Sequence, residues 1–371
     1  MIVDCHAHVF QNWKERCGHP TNDIHLKYLQ KIVARPAAKA FRARDGAPAS
    51  TAALFRPGDN TWAGLTDVGF RVGRFGQLQF THEDEDYFIQ YMPVGMQDME
   101  SPPEFMIAQM IVAGVDHCIL QTGGGYGAMN DFNGFAQNQH PDRFTALFQI
   151  DEAIADGPEQ LAEVERAHGR LGLKGLYYAH DFSRHGYGRN LDHPAFGPFW
   201  DLIGGLGVPV FIELSATPSY DRASYILNLL AFNNVLKRLP GTRFLLVMGP
   251  PVGHFALDGA WSFPPEVLEV YRRDNLQMEV MFPISWGGVW DYPYPEAQAM
   301  IRGMRDLFGA GKLVWGSDMP NVERFCTYRQ SVDYVRRYCD FLNEREKEQI
   351  LGLNAAELIG ISAPRREGRA A

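Results

Sequence analysis

Eight short apolar runs recur along the chain, and longer amphipathic stretches separate them. Several runs are almost wholly apolar instead of alternating with polar residues, which is typical of strands buried on both faces. The runs cover residues 2–5, 117–122, 144–150, 172–178, 208–214, 244–248, 276–282 and 312–315.

The stretches between these runs carry apolar residues at helical spacing. They predict helices at residues 103–113, 158–168, 194–206, 222–239, 294–308 and 328–342. Strands that alternate with helices in this rhythm indicate parallel βαβ units. Eight such strands favour an α/β fold, a closed (β/α)₈ TIM barrel that forms one domain over residues 1–362. A doubly wound open sheet is the second choice.

Residues 11–102 do not follow this rhythm. They contain an Arg-, Gly- and Ala-rich stretch at 34–53 and an aromatic, acidic segment at 80–91. We interpret them as one long insertion after the first strand, either a functional lid or a dimerisation arm. The last residues, 363–371, are expected to be a disordered tail.

The net charge, the length of the apolar runs and the cysteine content limit the binding partners and the cellular location that the chain can have. The chain has 371 residues and a net charge of −9, which argues against a nucleic-acid surface. No apolar run reaches the roughly 18–20 residues of a membrane helix, and no signal peptide is visible at the start. Five scattered cysteines without a CxxC pair predict reduced thiols and a cytoplasmic location.

Two histidines stand at the end of the first run, in the order Asp4-Cys5-His6-Ala7-His8. Alternate residues of a strand point to the same face, so His6 and His8 can direct two imidazoles at one point inside the barrel. Imidazole is the commonest side-chain ligand for zinc and also suits manganese. We therefore predict one divalent metal ion, zinc or manganese, on this pair. A pair of hydrogen-bonded core histidines is the alternative.

Carboxylates end two further runs, at Asp318 and Glu213. The carboxyl ends of all barrel strands converge on one face, so Asp318 can join the histidines as a metal ligand and can move a proton. Glu213 is a candidate ligand because glutamate is rarely buried unpaired, although a buried Lys or Arg would satisfy it equally. His180 and His254, near strand ends, are candidate catalytic residues; solvated or capping histidines fit these positions as well.

Several motifs together resemble those of the amidohydrolase superfamily. They are DCHAH at 4–8, GVD at 114–116, HPDRF at 140–144, NLDHPAF at 190–196, GVPV at 207–210, WGSDMP at 315–320 and EQILGLNAA at 348–356. The resemblance is to the branch that includes aminocarboxymuconate-semialdehyde decarboxylase and the resorcylate-type decarboxylases. It covers nearly the whole chain outside the insertion.

The resemblance implies a divalent metal on His6, His8 and Asp318. The family usually adds a histidine at the end of the fifth strand and another at the end of the sixth. This chain has Glu213 and Met248 there. Glu213 as a ligand would favour a harder ion such as manganese. The loss of the sixth-strand histidine removes a usual water-activating group, for which His180 or His254 could substitute.

Two chemistries fit this resemblance. The branch favours non-oxidative decarboxylation of an aromatic or unsaturated carboxylic acid, with Asp318 or His180 moving the proton to carbon. Hydrolysis of a cyclic amide, a lactone or a C–C bond is the alternative. The aromatic content of 12% suits a flat substrate, with Trp286 as one binding residue. Arg71, Arg74 and Arg324 are candidates to clamp the substrate carboxylate.

Two further hypotheses differ in class. Residues 123–128, GGGYGA, follow a strand and imitate a dinucleotide-binding fingerprint, which would indicate a nicotinamide oxidoreductase. The same residues fit a loop at the barrel mouth equally well. A barrel that has lost its metal and serves as a binding protein is the other hypothesis. If the protein is a decarboxylase or a hydrolase, we expect its partner to be a small-molecule substrate. The family resemblance also suggests a homodimer or a larger homo-oligomer.

Overall fold

The computed structural model describes residues 1–34, 39–57, 59, 62–180, 189–214 and 221–361, and the predicted tail at 363–371 lies outside them. Each of the eight apolar runs overlaps a strand, and the strands form one parallel sheet in chain order. We number them as the first to eighth barrel strands. They are Val3–Ala7, His117–Leu120, Phe144–Phe148, Gly175–Ala179, Val210–Glu213, Phe244–Leu246, Leu276–Val280 and Leu313–Trp315.

The sheet returns on itself at its two ends. The Asp318 amide donates to the His6 carbonyl at 2.8 Å, and the His8 amide donates to the Met319 carbonyl at 2.8 Å. A parallel bridge between Ala7 and Met319 accompanies these bonds. The eighth strand is thus joined to the first, and the predicted TIM barrel is confirmed.

Helices cover the outside of the barrel. The helices of the described residues, including one in the insertion and two short ones at the strand ends, are Asn22–Val33, Pro103–Ala113, Asn130–Gln139, Pro158–Gly169, Gly197–Leu206, Arg222–Arg238, Val252–Phe255, Pro265–Tyr271, Phe282–Trp286, Pro295–Phe308, Tyr328–Arg336, Glu344–Glu348 and Asn354–Ile359. Short 3₁₀ turns lie at Ala52–Leu54, Trp62–Gly64, Glu152–Ile154, Pro194–Phe196, Ala310–Lys312 and Asn321–Arg324, with a π turn at Gln349–Leu353. None of the described helices is both long and apolar enough to span a membrane.

The helix predicted at 328–342 is shorter than expected. Thr327 begins it with a capping box, and it ends at Arg336. Asn343 then caps a new helix, because its side chain accepts the Glu346 amide at 2.9 Å. A second N-cap this close leaves room only for turns between the two helices.

The insertion between the first strand and the helix Pro103–Ala113 is a folded unit. Its helix Asn22–Val33 accompanies a five-stranded antiparallel sheet. In spatial order the strands are Pro48–Ala49, Ala40–Arg42, Glu85–Gln90, Gln77–His82 and Arg71–Val72. A separate cluster of buried side chains, which includes Leu29, Leu78 and Phe80, forms its core.

Inside the barrel, apolar side chains from the strands fill the centre. Val3, Ile119, Phe211 and Leu245 belong to this inner cluster and are each fully buried. The centre of the barrel is thus an apolar core.

All five cysteines lie in the described part of the chain, where they are buried and form no disulfide.

Candidate metal centre

The centre begins with two imidazoles at the carboxyl end of the first strand. His6 is 6% and His8 is 2% exposed. Their Nε2 atoms lie 3.1 Å apart, because the alternation of the strand places both rings on the inner side. The ring of Tyr126 stacks on His8 with a centroid distance of 4.0 Å and covers that imidazole from one side.

Asp318 meets the two histidines from the end of the eighth strand. Its Oδ1 lies 3.1 Å from His8 Nε2 and 3.9 Å from His6 Nε2. Its Oδ2 accepts a hydrogen bond from Asn321 Nδ2 at 2.9 Å. Within the described ranges, these three residues are the one set of at least three His, Cys, Asp or Glu whose ligand atoms all lie within 4.8 Å.

The partners of the other ring nitrogens define what the centre can bind. His6 Nδ1 lies 3.1 and 3.2 Å from the two oxygens of Glu279, and His8 Nδ1 lies 3.2 Å from the backbone oxygen of Gln121. An ionised carboxylate and a carbonyl only accept, so each Nδ1 carries a hydrogen. When the imidazoles are neutral, both Nε2 atoms are then acceptors.

With both imidazoles neutral, two Nε2 lone pairs and one carboxylate oxygen converge with no donor among them. Asp318 Oδ1 is buried and accepts no hydrogen bond within the described residues. Two ligands of one zinc ion, each about 2.1 Å from it at tetrahedral angles, stand ~3.4 Å apart. The observed separations of 3.1, 3.1 and 3.9 Å match this scale. The donor set therefore fits one divalent cation.

Electrostatics agree with this fit. Burial by itself lowers the pKa of His6, but the charge and hydrogen bond of Glu279, with Asp318, raise it to about 9. Burial lowers the pKa of His8 and outweighs the opposing effect of Asp318. Burial favours the neutral form of Asp318, yet the two histidines lower the pKa of this carboxyl below its ordinary value. The centre therefore attracts positive charge.

Sequence reasoning missed Glu279, which lies on the seventh strand and is 1% exposed. Its carboxylate accepts from Cys5 Sγ at 3.1 Å and from the Met248 amide at 2.6 Å, besides contacting His6. The available signal was a glutamate within an otherwise apolar run, since glutamate is almost never fully buried without partners. Only the register across the barrel shows that its partner is a metal-ligand candidate.

Asp4 joins the first strand to the eighth next to this centre. Its carboxylate accepts the Ser317 hydroxyl, the Tyr328 hydroxyl at 2.7 Å, and the amides of Ser317 and His6 at 2.9 and 3.0 Å. Burial outweighs these bonds and raises the pKa of Asp4 to about 6. These contacts hold the backbone of His6 and the residue before Asp318 in fixed positions.

Glu213 and His180 do not join the three-residue group. Glu213 ends the fifth strand, and its Oε2 accepts the Tyr177 hydroxyl at 2.5 Å. His180 follows the fourth strand directly and is fully buried. Both stand at the same end of the barrel as the centre, and the predicted roles of ligand and proton carrier remain proposals.

His254 and Trp286 lie together in a cleft of about 330 Å³ beside the centre. The remaining lining is largely apolar and comes from the ends of the sixth and seventh strands: Met248, Pro250, Pro251, Val252, Gly253, Met281, Phe282 and Ser285. Met248 connects the cleft to the centre, because its amide bonds to Glu279. The cleft therefore has a largely apolar lining and is linked to the candidate cation site through Met248 and Glu279.

The three predicted arginines separate into two groups. Arg324 lies in the turn Asn321–Arg324, directly after Asp318 and Asn321. Arg71 belongs to the insertion sheet and pairs with Asp86 at 3.0 Å, and Arg74 is exposed with its guanidinium 5.2 Å from the ring of Phe75. Only Arg324 is thus placed near the centre.

The glycine-rich residues 123–128 lie between the centre and the insertion. Tyr126 within them stacks on His8. Gly127 has φ +126°, and a Cβ there would stand 2.3 Å from the Cys17 carbonyl oxygen, while the Ala128 amide donates to the same oxygen at 2.9 Å. The glycine is therefore explained by the close approach of the insertion.

Comparisons with known proteins agree with this fold. A family model described as Amidohydrolase matches residues 3–361. No curated protein matches the sequence.

Solved structures share the fold at low sequence identity. A probable 2-pyrone-4,6-dicarboxylic acid hydrolase from Acinetobacter baumannii with bound citric acid has 17% identity and a TM-score of 0.52, over 71% of this chain and 91% of that one. A 2,6-dihydroxybenzoate decarboxylase from Rhizobium has 16% identity and a TM-score of 0.51, over 69% and 88%. An apo structure from Agrobacterium tumefaciens has 13% identity and a TM-score of 0.51, over 98% and 97%.

Proposed function

Because this chain belongs to the amidohydrolase family, as its sequence motifs had indicated, we propose that it is a metal-dependent enzyme. Its reaction would be the non-oxidative decarboxylation of an aromatic or unsaturated carboxylic acid. The observation that carries the proposal is the convergence of His6 Nε2, His8 Nε2 and Asp318 Oδ1 without a donor among them.

His6, His8 and Asp318 would hold the divalent ion, zinc or manganese. When bound, such an ion acts as a Lewis acid that orients and polarises an oxygen of the substrate. Glu279 and Gln121 hold the two imidazoles with their Nε2 atoms toward the site. Tyr126 stacks on His8 and keeps solvent from that side of the ring.

The neighbouring cleft supports a flat, apolar substrate body. Met248, Met281, Phe282 and Trp286 line it, and His254 adds one imidazole. Trp286 stacks on Trp290 at 5.1 Å, which fixes the plane of its ring. Arg324, in the turn that follows Asp318, would clamp the substrate carboxylate, as arginine does in bidentate carboxylate recognition.

In this reaction a proton adds to the carbon that bears the carboxylate, and the C–C bond then breaks. Its electron pair returns to the ring, and carbon dioxide leaves. The balance is one carboxylate and one proton in, one carbon dioxide and one C–H bond out. Asp318 or His180 would carry the proton. Asn321 orients Asp318 through its 2.9 Å hydrogen bond.

Substrate panels test the proposal. The protein is stripped with a chelator, reloaded separately with Mn²⁺ or Zn²⁺, and assayed for carbon dioxide release from hydroxybenzoates, with 2,6-dihydroxybenzoate included. A parallel panel of lactones and cyclic amides is assayed by product formation. We expect carbon dioxide release that needs the metal and falls at least about 100-fold in Asp318→Asn.

Each other outcome points to one alternative. Turnover of lactones or amides alone would mean that the enzyme is a hydrolase. Failure of both panels, together with no uptake of either metal, would favour the binding-protein hypothesis and contradict our proposal. Binding of NAD in calorimetry would revive the oxidoreductase hypothesis for residues 123–128.

A further inference from the structure

We propose that Glu279 is a positioning residue that fixes the His6 ring with its Nε2 toward the cation and thereby sets the metal affinity. The inference rests on the proposed function, since it concerns the same centre. It goes further by assigning a residue outside the three candidate ligands. Nothing in the sequence motifs marks Glu279, which lies on the seventh strand.

Both oxygens of the Glu279 carboxylate are engaged. Oε1 accepts from Cys5 Sγ at 3.1 Å and from His6 Nδ1 at 3.1 Å. Oε2 accepts from the Met248 amide at 2.6 Å and lies 3.2 Å from His6 Nδ1. Three donors therefore hold the carboxylate in one orientation, two from the first strand and one from the residues after the sixth. That orientation fixes the plane and tautomer of His6.

The backbone around this contact is shaped to admit it. A Cβ on Gly316 would stand 2.2 Å from Glu279 Oε1 and 2.9 Å from His6 Cβ. Any larger residue at position 316 would consequently push the carboxylate and the imidazole apart. Met248 has φ +62°, an uncommon conformation for a side-chain-bearing residue, and its amide is aimed at Oε2.

The two imidazoles are held unequally. His8 Nδ1 faces a neutral carbonyl, that of Gln121, whereas His6 Nδ1 faces a carboxylate. A carboxylate behind a metal-binding imidazole orients the ring and makes its other nitrogen a better electron donor. In this chain Met248 replaces the histidine usual at the end of the sixth strand, and its amide supports Glu279 instead. The seventh strand thus holds the His6 imidazole in place through the carboxylate of Glu279.

Metal titration of a Glu279→Gln variant tests the inference. Gln keeps the length of the side chain but loses the charge, and its NH₂ group cannot accept from the Met248 amide or the Cys5 thiol. We expect the Kd for Zn²⁺ and for Mn²⁺, measured against a chromophoric chelator, to rise 10- to 100-fold. In ¹⁵N NMR of the metal-free protein at about pH 10, above the His6 pKa of about 9, we expect neutral wild-type His6 to carry its proton on Nδ1 and the variant to lose this preference.

Glu152→Gln is the matched control. Glu152 is also buried, at 2% exposure, and it accepts the Ala179 amide at 3.0 Å and the Gln149 side chain at 3.1 Å. It therefore reproduces the loss of a buried, hydrogen-bonded carboxyl group that, within the described residues, is not a hydrogen-bond partner of His6 or His8. We expect its metal affinity to stay within about twofold of wild type.

Gly316→Ala offers a second route if Glu279→Gln does not fold, because it crowds the same contact without changing a charge. We expect it to raise the Kd in the same direction. Wild-type metal affinity in a folded Glu279→Gln variant would overturn the inference while leaving the proposed function intact. Absence of metal binding in the wild type would instead overturn the proposed function.

Discussion

Two pairs of buried histidines lie within the first 25 residues, one at the barrel mouth and one in the insertion. His6 and His8 have their Nδ1 atoms on acceptors and their Nε2 atoms toward Asp318. His19 and His25 stack at 5.7 Å in the insertion core. In the described structure, neither ring nitrogen of His25 has a hydrogen-bond partner, and neither has Nε2 of His19.

The difference shows that burial alone does not make a histidine a ligand. His25 is fully buried, and its pKa is lowered to about 4 by burial and by His19. His6 is nearly as buried, yet Glu279 helps raise its pKa to about 9. The hydrogen-bond acceptors around His6 and His8 attract a cation to the barrel pair. The aromatic surroundings of His19 and His25 instead keep the imidazoles of the insertion pair neutral.

The largest effect is expected from removing the barrel pair and measuring the metal content of the protein. His6→Ala/His8→Ala removes two of the three converging ligand atoms. We expect the Kd for Zn²⁺ to rise at least about 1,000-fold, because one carboxylate alone is a weak ligand. Elemental analysis after dialysis against limiting Zn²⁺, with chelator competition for the Kd, is the measurement.

His19→Phe/His25→Phe is the matching variant in the insertion. It removes the same number of imidazoles at similar burial, and we expect wild-type metal stoichiometry. Urea unfolding of both variants checks that each is folded. Retention of one tightly bound ion per chain in the barrel variant would contradict the assignment, and loss of the ion in the insertion variant would mean that the two pairs cooperate.

The next largest effect is expected in the pH dependence of the free energy of unfolding, which tests whether His25 in the insertion is neutral. The pKa of His25 is about 4 in the folded protein, below its ordinary 6.5, so the unfolded chain takes up a proton first as the pH falls. The stability that depends on neutral His25 is therefore present above pH 6.5 and is lost as the pH falls toward 4. The full loss is about 3 kcal/mol.

His25→Phe should remove this loss, because phenylalanine fills the aromatic site and does not titrate. We expect the free energy of unfolding in urea to fall by about 3 kcal/mol less in the variant than in the wild type between pH 7 and pH 4. His82→Gln, on the exposed hairpin of the insertion, is the control and should behave as wild type. Equal pH dependence in wild type and His25→Phe would show that His25 is hydrated or paired in solution.

The barrel could be predicted because its signals are local. Each strand is a short apolar run, and its period identifies it without knowledge of its neighbours. His6 and His8 follow from alternation within one strand, and Asp318 follows from the rule that strand ends converge. The prediction for this group needed only chain order and barrel topology.

The remaining features depend on contacts that a single sequence does not contain. Glu279 meets His6 through the register between distant strands, and Glu213 meets Tyr177 on the adjacent fourth strand. The insertion sheet was missed because its strands are only two to six residues long. One connection does contain an Asp-Gly pair, Asp45-Gly46 with φ +69° at the glycine, but the strands on either side of it have only three and two residues. In the longer hairpin, Glu83 and Asp84 take the positive φ angles at the turn.

The smallest effect is expected from replacing single arginines, one near the metal centre and one in the insertion, and measuring the KM of the substrate. Burial raises the pKa of the Tyr126 phenol and the charge of Asp318 adds to this, while the charge of Arg324 opposes both. Arg324 is thus within electrostatic reach of the ring that stacks on His8. Arg74 is exposed on the insertion.

We expect Arg324→Met to raise the KM of the best carboxylate substrate about 10- to 100-fold, because one or two charge-assisted hydrogen bonds are lost. The kcat should change less, since the clamp acts on the bound substrate before and during reaction alike. Arg74→Met, with the same loss of charge, should leave both constants within about twofold. A larger effect from Arg74 than from Arg324 would mean that the insertion, and not the turn after Asp318, recognises the carboxylate, and that it closes over the substrate as a lid.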